Sequence, residues 1–469
     1  MCGLNIQIDP DRLREAAEKK WWKNEVITDH LDRWAADRPD LVAIISHEAI
    51  SNDVETISYR QLARLADRVA WGLIDLGVEA GDTVSVQLPN WWHFTVIYLA
   101  CARIGAVINP ITPIMRHREV TFMLERTRAK AMIIPESFRG FRYADMMTEV
   151  APSLPDLKAT FVVGDPASAR QRSFNDYFLH NRREIKRSAT ELQSLRPDPN
   201  ALAEVIFTSG TTGEPKGVMH THNTLRHCIE VLEHVIRPSE RDVVLMPSTF
   251  GHQTGFLFGV NFPIVVGLKA VYQDVWEANA AIRLIAEEGV TMTVSATPFL
   301  MDLIRAPAAR DYDHSSFRYF LCGGAPIPSA LVQEAENDFG CRVLSLWGMS
   351  ENGAVTLVYP DDPPGKSAES DGRVVPNMEI KIVHPQTHEG LPPRQEGLLV
   401  SRGASQFVGY LNRPDLTEAS HLPGGWFDTG DLAWLSEDGY LRISGRAKDI
   451  IIRGGENIPV IEIENALYR

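Results

Sequence analysis

The chain has 469 residues, 44% of them hydrophobic and 23% charged, with a formal net charge of −14. That length exceeds one simple core and sets an expectation of about two to four structural units. The acidic balance argues against a general nucleic-acid binder, and no apolar run approaches the ~18–20 residues of a membrane span.

The N-terminal stretch, with Arg12, Arg14, Glu15 and Glu18, is too charged for a signal peptide. Cys2, Cys101, Cys228, Cys322 and Cys341 are scattered and contain no C-x-x-C pair. They suit a reduced, cytoplasmic chain better than a disulfide framework or a zinc site. Residues 41–46 form a short β-type run. Residues 59–76 carry Leu62, Leu65, Val69, Leu73 and Leu76 at helical spacing. Strand-like 83–88 is followed by helix-like 91–103, strands at 106–109 and 131–135, and a helix at 118–128 between them. This βαβ rhythm favours a mostly parallel sheet covered on both faces. Trp91 and Trp92, after Asn90, read as core packing against that sheet rather than as a ligand platform.

Residues 165–200 are polar and read as a helix plus a linker, with Arg170, Arg172, Arg182, Arg183 and prolines at 197 and 199. Alternation resumes with strands at 203–207 and 242–246, a helix at 278–288, and strands at 291–295, 317–322 and 342–346. From 372 onward short strands at 379–383, 397–401 and 440–444, set among Gly, Pro and Asp turns, predict a small β-rich unit. The fold class expected is therefore α/β, in two halves with an added β-rich piece.

The densest chemistry lies at 208–217, T-S-G-T-T-G-E-P-K-G. Glycines let backbone N–H groups approach phosphate oxygens, hydroxyls donate to them, and an ammonium offsets their charge. Set between a strand and a helix, this turn suits a polyphosphate. It is not a Walker loop, because Gly217 rather than Ser or Thr follows Lys216. At 346–351, L-W-G-M-S-E places an aromatic, a glycine, a hydroxyl and a carboxylate at a strand end. Trp347 can stack on a base and Glu351 can hold Mg²⁺ against phosphates, although an isolated Glu351 reads as a surface acid. Gly323-Gly324-Ala325-Pro326 lets a flat ligand lie against bare backbone. Asp431, in W-F-D-T-G-D, suits a ribose diol. The turn at 445–449 offers Arg446 and an exposed pivot. His252, in F-G-H-Q-T-G, reads either as structural or as a pocket residue. His220 and His222 lack further ligands at zinc spacing and are not read as a metal pair.

These five motifs, in this order, resemble the AMP-forming adenylating enzymes: acyl-CoA synthetases, peptide-synthetase adenylation domains and beetle luciferases. The resemblance runs from about residue 29 to residue 469. It implies two α/β subdomains with mixed parallel sheets plus a small β-barrel-like subdomain, and a C-terminal α+β lid. Residues 1–447 would form the N-terminal adenylation domain, with α/β subdomains at about 1–200 and 201–371 and the β-rich one at 372–447. Residues 448–469 would be the hinge and first fragment of the lid.

The implied chemistry is activation of a carboxylic acid by ATP to an acyl-adenylate, loss of pyrophosphate, and displacement of AMP by the thiol of CoA. By position, Thr208, Ser209, Gly210, Thr211, Thr212, Gly213 and Lys216 would hold the ATP phosphates. Gly323, Gly324, Ala325 and Pro326 would flank adenine and acyl group, with Trp347, Gly348 and Met349 beside them. Ser350 would lie near the α-phosphate and Glu351 would ligate Mg²⁺. Asp431 and Arg446 would bind the ribose, Lys448 would be the hinge, and Arg453 to Asn457 would border the pantetheine path. His252 would line the carboxylate pocket. Trp347 replaces the usual tyrosine and Ser350 the usual threonine.

The segments 87–91, 94–101, 251–256, 320–324 and 453–457 look most like CoA ligases of short- or medium-chain fatty acids or of cyclohexanecarboxylate. No charge near Phe250, Phe256, Phe258 and Met349 matches an amino-acid ammonium. A carrier protein instead of CoA as acceptor, and a lidless nucleotide- or acyl-binding protein without catalysis, stay open as alternatives. A kinase-like phosphotransferase is disfavoured by the loop spacing.

The family's lid lysine, in a P-x-x-x-x-G-K context, has no counterpart in residues 448–469. It helps to offset charge when an anionic carboxylate attacks an anionic phosphate. The 469-residue polypeptide is therefore expected to bind ATP and acid but to adenylate slowly. Acid-dependent ATP–pyrophosphate exchange as fast as that of a longer relative would contradict this.

Overall fold

In the computed structural model the described residues are 8–208 and 214–446, together with the strands at 450–453 and 456–459. They fall into two compact units. The first comprises Met1–Ile229, Pro238–Trp276 and Phe407–Asn412; the second comprises Glu230–Arg237, Glu277–Gln406 and Arg413–Arg469.

The first unit contains a seven-stranded sheet in the order Lys216–Thr221, Leu202–Thr208, Val107–Pro110, Thr83–Val86, Ala131–Pro135, Ala159–Val163, Gln171–Ser173. All neighbours are parallel except the first pair. The helix Trp92–Ile104 is buried at every residue, as an all-round apolar helix must be. Trp91 and Trp92 are both core residues, and the Trp91 indole N–H donates to Asp274 at 2.9 Å. The helix Tyr59–Asp75 starts at a capping box. Ser58 Oγ accepts from the Gln61 N–H while the Gln61 side chain accepts from the Ser58 N–H. A further set of strands, Val243–Met246, Lys269–Gln273 and Val42–Glu48, runs parallel, with Asp53–Ser58 antiparallel at its edge.

The second unit carries Met292–Ser295, Tyr319–Cys322 and Arg342–Met349 in parallel, followed by antiparallel Gly353–Leu357 and Arg373–Val374. It also holds a five-stranded antiparallel sheet over 378–446, packed on Val383, Leu398, Val400, Trp426 and Leu422. The fold is thus mixed α/β with a β-rich addition, as the sequence predicts. The helix expected at 278–288 is present as Ala278–Glu288 and ends at Gly289 with φ +65°.

Two expectations change. Residues 165–200 are not a linker: Gln171–Ser173 extends the sheet, and Phe174 and Phe178 are fully buried. Their polar neighbours conceal two aromatic anchors. The turn at 208–217 does not lead into a helix. Strand Lys216–Thr221 intervenes, and the helix starts at His222. Among the described residues no helix is long and apolar enough to cross a membrane.

Cys101, Cys228, Cys322 and Cys341 are all buried. Burial pushes the Cys322 and Cys341 thiols up to about 12 and the Cys101 thiol higher still.

Arg103 joins three helices. Its Nη1 and Nη2 each donate to Asp32 at 2.6 Å, and its Nε donates to Asp67 at 3.0 Å, with the residue only 5% exposed. Arg103→Met leaves two carboxylates facing each other in a partly dry site. A stability loss of about 2–3 kcal/mol by urea unfolding is expected, discounted for the open edge of Asp32. A loss within ordinary surface scatter, about 0.5 kcal/mol, would show that the helices hold without it.

Candidate active site

The assigned residues divide between the units. Thr208, Lys216 and His252 belong to the first. Gly323, Gly324, Ala325, Pro326, Trp347, Gly348, Met349, Ser350, Glu351, Asp431 and Arg446 belong to the second. Ser209, Gly210, Thr211, Thr212, Gly213 and Lys448 lie outside the described residues, as do Gly454 and Gly455.

In the first unit, antiparallel register places Thr208 opposite Lys216. The segment 208–216 therefore joins two paired strands, Leu202–Thr208 and Lys216–Thr221. The hairpin is braced on its far side by the segment Phe407–Asn412. Leu411 N–H donates to Gly217 O at 2.8 Å, Met219 N–H to Gly409 O at 3.1 Å, and Val408 N–H to Met219 O at 3.0 Å. This brace brings Tyr410 under the lysine, whose Nζ lies 5.0 Å from the ring centroid. A cation–π contact of this kind holds an ammonium without neutralising it.

His252 sits on a loop after strand Val243–Met246. The loop is launched by Asn90, which is 2% exposed. Asn90 Nδ2 donates to the carbonyls of Met246 (3.2 Å), Ser248 (2.9 Å) and Gln273 (3.3 Å), and its Oδ1 accepts from Phe250 N–H at 3.0 Å. Gly251 is required there, because a Cβ would lie 2.4 Å from the Thr112 backbone nitrogen. The His252 side chain is exposed at the surface of the loop. Surrounding protein nevertheless desolvates the ring and lowers its pKa, so it stays neutral near pH 7. Its Nδ1 accepts from Thr254 N–H at 3.3 Å. The ring proton then resides on Nε2, and the residue presents a neutral N–H donor.

The phenylalanines of this loop do not line an opening. Phe250 and Phe256 are 0% exposed and Phe258 is 4% exposed. Phe250 and Phe256 pack on Phe94, Tyr98 and Tyr272 at centroid distances of 4.7–6.3 Å. The apolar sequence around His252 is therefore core, and it stiffens the loop.

In the second unit Gly323 to Pro326 and Trp347 to Glu351 lie at the C-terminal ends of adjacent parallel strands, where open α/β sheets bind ligands, and Asp431 and Arg446 lie on two antiparallel strands. After Tyr319–Cys322, Gly324, Ala325 and Pro326 present exposed backbone. Thr297 Oγ1 donates to the carbonyls of Ala325 and Pro326 at 3.4 and 3.1 Å. The strand Arg342–Met349 carries Trp347, whose indole N–H donates to Asp431 Oδ2 at 2.8 Å. Arg446, opposite Asp431 in register, places its Nε 3.3 Å from Oδ1. Base-type and ribose-type residues, 84 positions apart, thus form one buried cluster in which Trp347 is 8% and Asp431 4% exposed. Gly348 admits no side chain, since a Cβ would lie 1.8 Å from the Gly353 carbonyl oxygen.

The turn after Met349 is fixed by Asn352, whose Oδ1 accepts from Met349 N–H at 2.9 Å and whose Nδ2 donates to Ser401 at 3.1 Å. Glu351 lies on this turn and is 6% exposed. Among the described residues no group of three or more His, Cys, Asp or Glu forms a self-sufficient metal cage. A lone carboxylate suits Mg²⁺, which takes one or two protein oxygens and completes its shell from phosphates and water.

Asn90, Tyr410, Thr297 and Asn352 were not singled out as site residues by sequence. Each acts on backbone or on another side chain, so none announces itself by a motif. Asn90, a polar residue between apolar segments, carried the clearest signal.

The AMP-binding enzyme family model matches residues 31–411. Across all 469 residues the chain is 35% identical to the medium-chain fatty-acid–CoA ligase of Escherichia coli K12, spanning 81% of that protein. It is 29% identical to a salicylyl-CoA synthase / salicylate adenylyltransferase of a Streptomyces species, over 98% of this chain and 81% of the relative. Apo MbtA of Mycobacterium smegmatis matches with TM-score 0.84 and 28% identity, covering 99% of this chain and 84% of that one. ATP-bound MatB from Rhodopseudomonas palustris matches with TM-score 0.81 and 25% identity, covering 94% and 82%. These matches establish that the chain belongs to the AMP-binding enzyme family.

Proposed function

We propose that the chain activates a hydrophobic carboxylic acid, of short to medium length or alicyclic, and passes the acyl group to CoA. The acid carboxylate forms a bond to the α-phosphorus of ATP while the bond to the bridging oxygen of pyrophosphate breaks. The CoA thiol, losing its proton, then bonds to the acyl carbon and AMP leaves. The observation that carries this reading is His252, a neutral N–H donor on an anchored, uncharged loop. A neutral donor orients a carboxylate yet leaves it more nucleophilic than a full ion pair does. Lys216 and Thr208 serve the phosphates, and the amides of 209–213 belong to the same role. Glu351 and Ser350 serve the metal and the α-phosphate, and Mg²⁺, when bound, supplies neutralising charge at the phosphates. Trp347, Asp431 and Arg446 seat the nucleoside.

The class of acid is supported by the 35% identity to a medium-chain fatty-acid–CoA ligase and by the absence of charge across 250–258. Methylene count is only weakly discriminated by apolar surfaces, so the panel of acids matters more than any single one.

The test is product identification with ATP, Mg²⁺, CoA and a panel of straight-chain and alicyclic acids. AMP and an acyl-CoA thioester are expected in equal amounts. ADP as product, or AMP release indifferent to the acid, would overturn the reading.

A second outcome concerns the nucleoside seat. Trp347→Phe removes the indole N–H from Asp431 and keeps a flat ring. A hydrogen bond to a charged group is worth about 1.5–3 kcal/mol, so the KM for ATP is expected to rise roughly tenfold or more. The KM for the acid should move little. Equal rises in both constants would show instead a general loss of structure.

A further inference from the structure

Strand Leu202–Thr208, which runs into the phosphate loop, contains one carboxylate, Glu204, and it is 0% exposed. Glu204 Oε2 accepts from Gln253 Nε2 at 3.0 Å. Gln253 is the residue after His252. Glu204 Oε1 and Gln253 Oε1 are both buried without a hydrogen-bond partner. Buried acceptors without partners are costly, and a proton on the carboxyl reduces that cost.

We propose that Glu204 is a positioning residue whose hydrogen bond to Gln253 locks the His252 loop to the strand that feeds the phosphate loop. The inference rests on the reading of His252 as the acid-orienting donor. The lock is local: Glu204 lies four residues before Thr208, and Gln253 is adjacent to His252. It complements Asn90, which fixes the loop at Phe250. One end of the loop is thereby tied to the strand Val243–Met246 and the other to the phosphate-loop strand.

The surroundings favour a neutral Glu204. Its cross-strand neighbours are His220 on Lys216–Thr221 and Ile108 on Val107–Pro110. Tyr98 acts on it electrostatically from helix Trp92–Ile104, and His252 belongs to the loop itself. No lysine or arginine pairs with it among the described residues. Burial pushes its carboxyl up to about 8, against an ordinary 4.5. Protonated on Oε1, Glu204 can donate to Gln253 Oε1 while its Oε2 still accepts from Gln253 Nε2, an acid–amide pairing that satisfies both orphans.

The sign of the pH effect follows. Between about 4.5 and 8 the folded chain holds a proton that the unfolded chain has released, so stability falls as pH rises through that window. Above about 8 Glu204 ionises, and its Oε2 still accepts from Gln253 Nε2, so the lock outlasts ionisation.

Three proteins test this: the parent, E204Q and E204M, each assayed for KM of acid and of ATP from pH 6.5 to 9 and for thermal unfolding over the same range. Gln keeps the hydrogen bond and cannot ionise; Met keeps the volume and loses the bond. E204Q is expected to keep the parent KM for acid from pH 6.5 to 9. Its stability should decline less with pH than the parent's. E204M should fold but raise the KM for acid about tenfold, leaving the KM for ATP within about twofold, as loss of roughly one oriented hydrogen bond implies. E204M with parent constants, an E204Q that raises the acid KM as E204M does, or a parent whose stability tracks that of E204Q at every pH would overturn the proposal. If E204M does not fold, the parent–E204Q comparison decides alone. A parent that activates no acid refutes the functional reading, whereas an active parent with indifferent Glu204 variants refutes only the lock.

Discussion

The first unit is organised around the side chain of one asparagine. Asn90 leaves the end of the seven-stranded sheet and satisfies three carbonyls that belong to or follow the strands Val243–Met246 and Lys269–Gln273. A buried primary amide is tolerable only when its donors and acceptor are matched, and here the match spans separate sheets. Everything that follows Met246 inherits its starting direction from that amide. The packed phenylalanines hold the direction, and Gly251 allows the backbone to pass against Ile111 and Thr112. His252 is aimed by structure that never touches a ligand.

The second unit achieves the same end by different means. There, parallel strands finish side by side and leave short turns at one edge. Thr297 donates to the carbonyls of Ala325 and Pro326, and Asn352 accepts from Met349 N–H, which fixes those turns. The positions proposed to meet the nucleotide thus sit on rigid scaffolding beside small residues such as Gly323, Gly324 and Gly348.

Much of this was legible in the sequence because local patterns and tertiary structure agree. The Ala278–Glu288 helix has apolar spacing and a terminal glycine, and the strands at 83–88, 131–135 and 342–346 are apolar runs between turn residues. The motifs at 323–326 and 346–351 were readable as strand-end chemistry. What escaped depends on distance along the chain. Trp347 meets Asp431 only through sheet register, and Lys216 meets Tyr410 only because Phe407–Asn412 returns to the hairpin. Phe174 and Phe178 lie in a segment whose average polarity hides them. The hairpin at 208–217 was mistaken for a strand-to-helix turn because six residues of strand precede a strong helical pattern. The burial of the phenylalanines around His252 is not legible either, because apolar sequence alone cannot separate a wall from a core.

The buried thiols have a consequence for chemoselectivity. An acyl-adenylate is a mixed anhydride, and any accessible thiolate captures it as a dead-end thioester. Cys322 immediately precedes Gly323, at the strand end proposed to flank the acyl group. Its sulfur is buried, sits 3.6 Å from Thr297 Oγ1, and is held as a thiol by a pKa of about 12. A protein that hands an activated acyl group to a thiol must keep its own sulfur out of the competition. Here the parallel strand does so by drawing the cysteine inward one residue before the chain opens to the ligand.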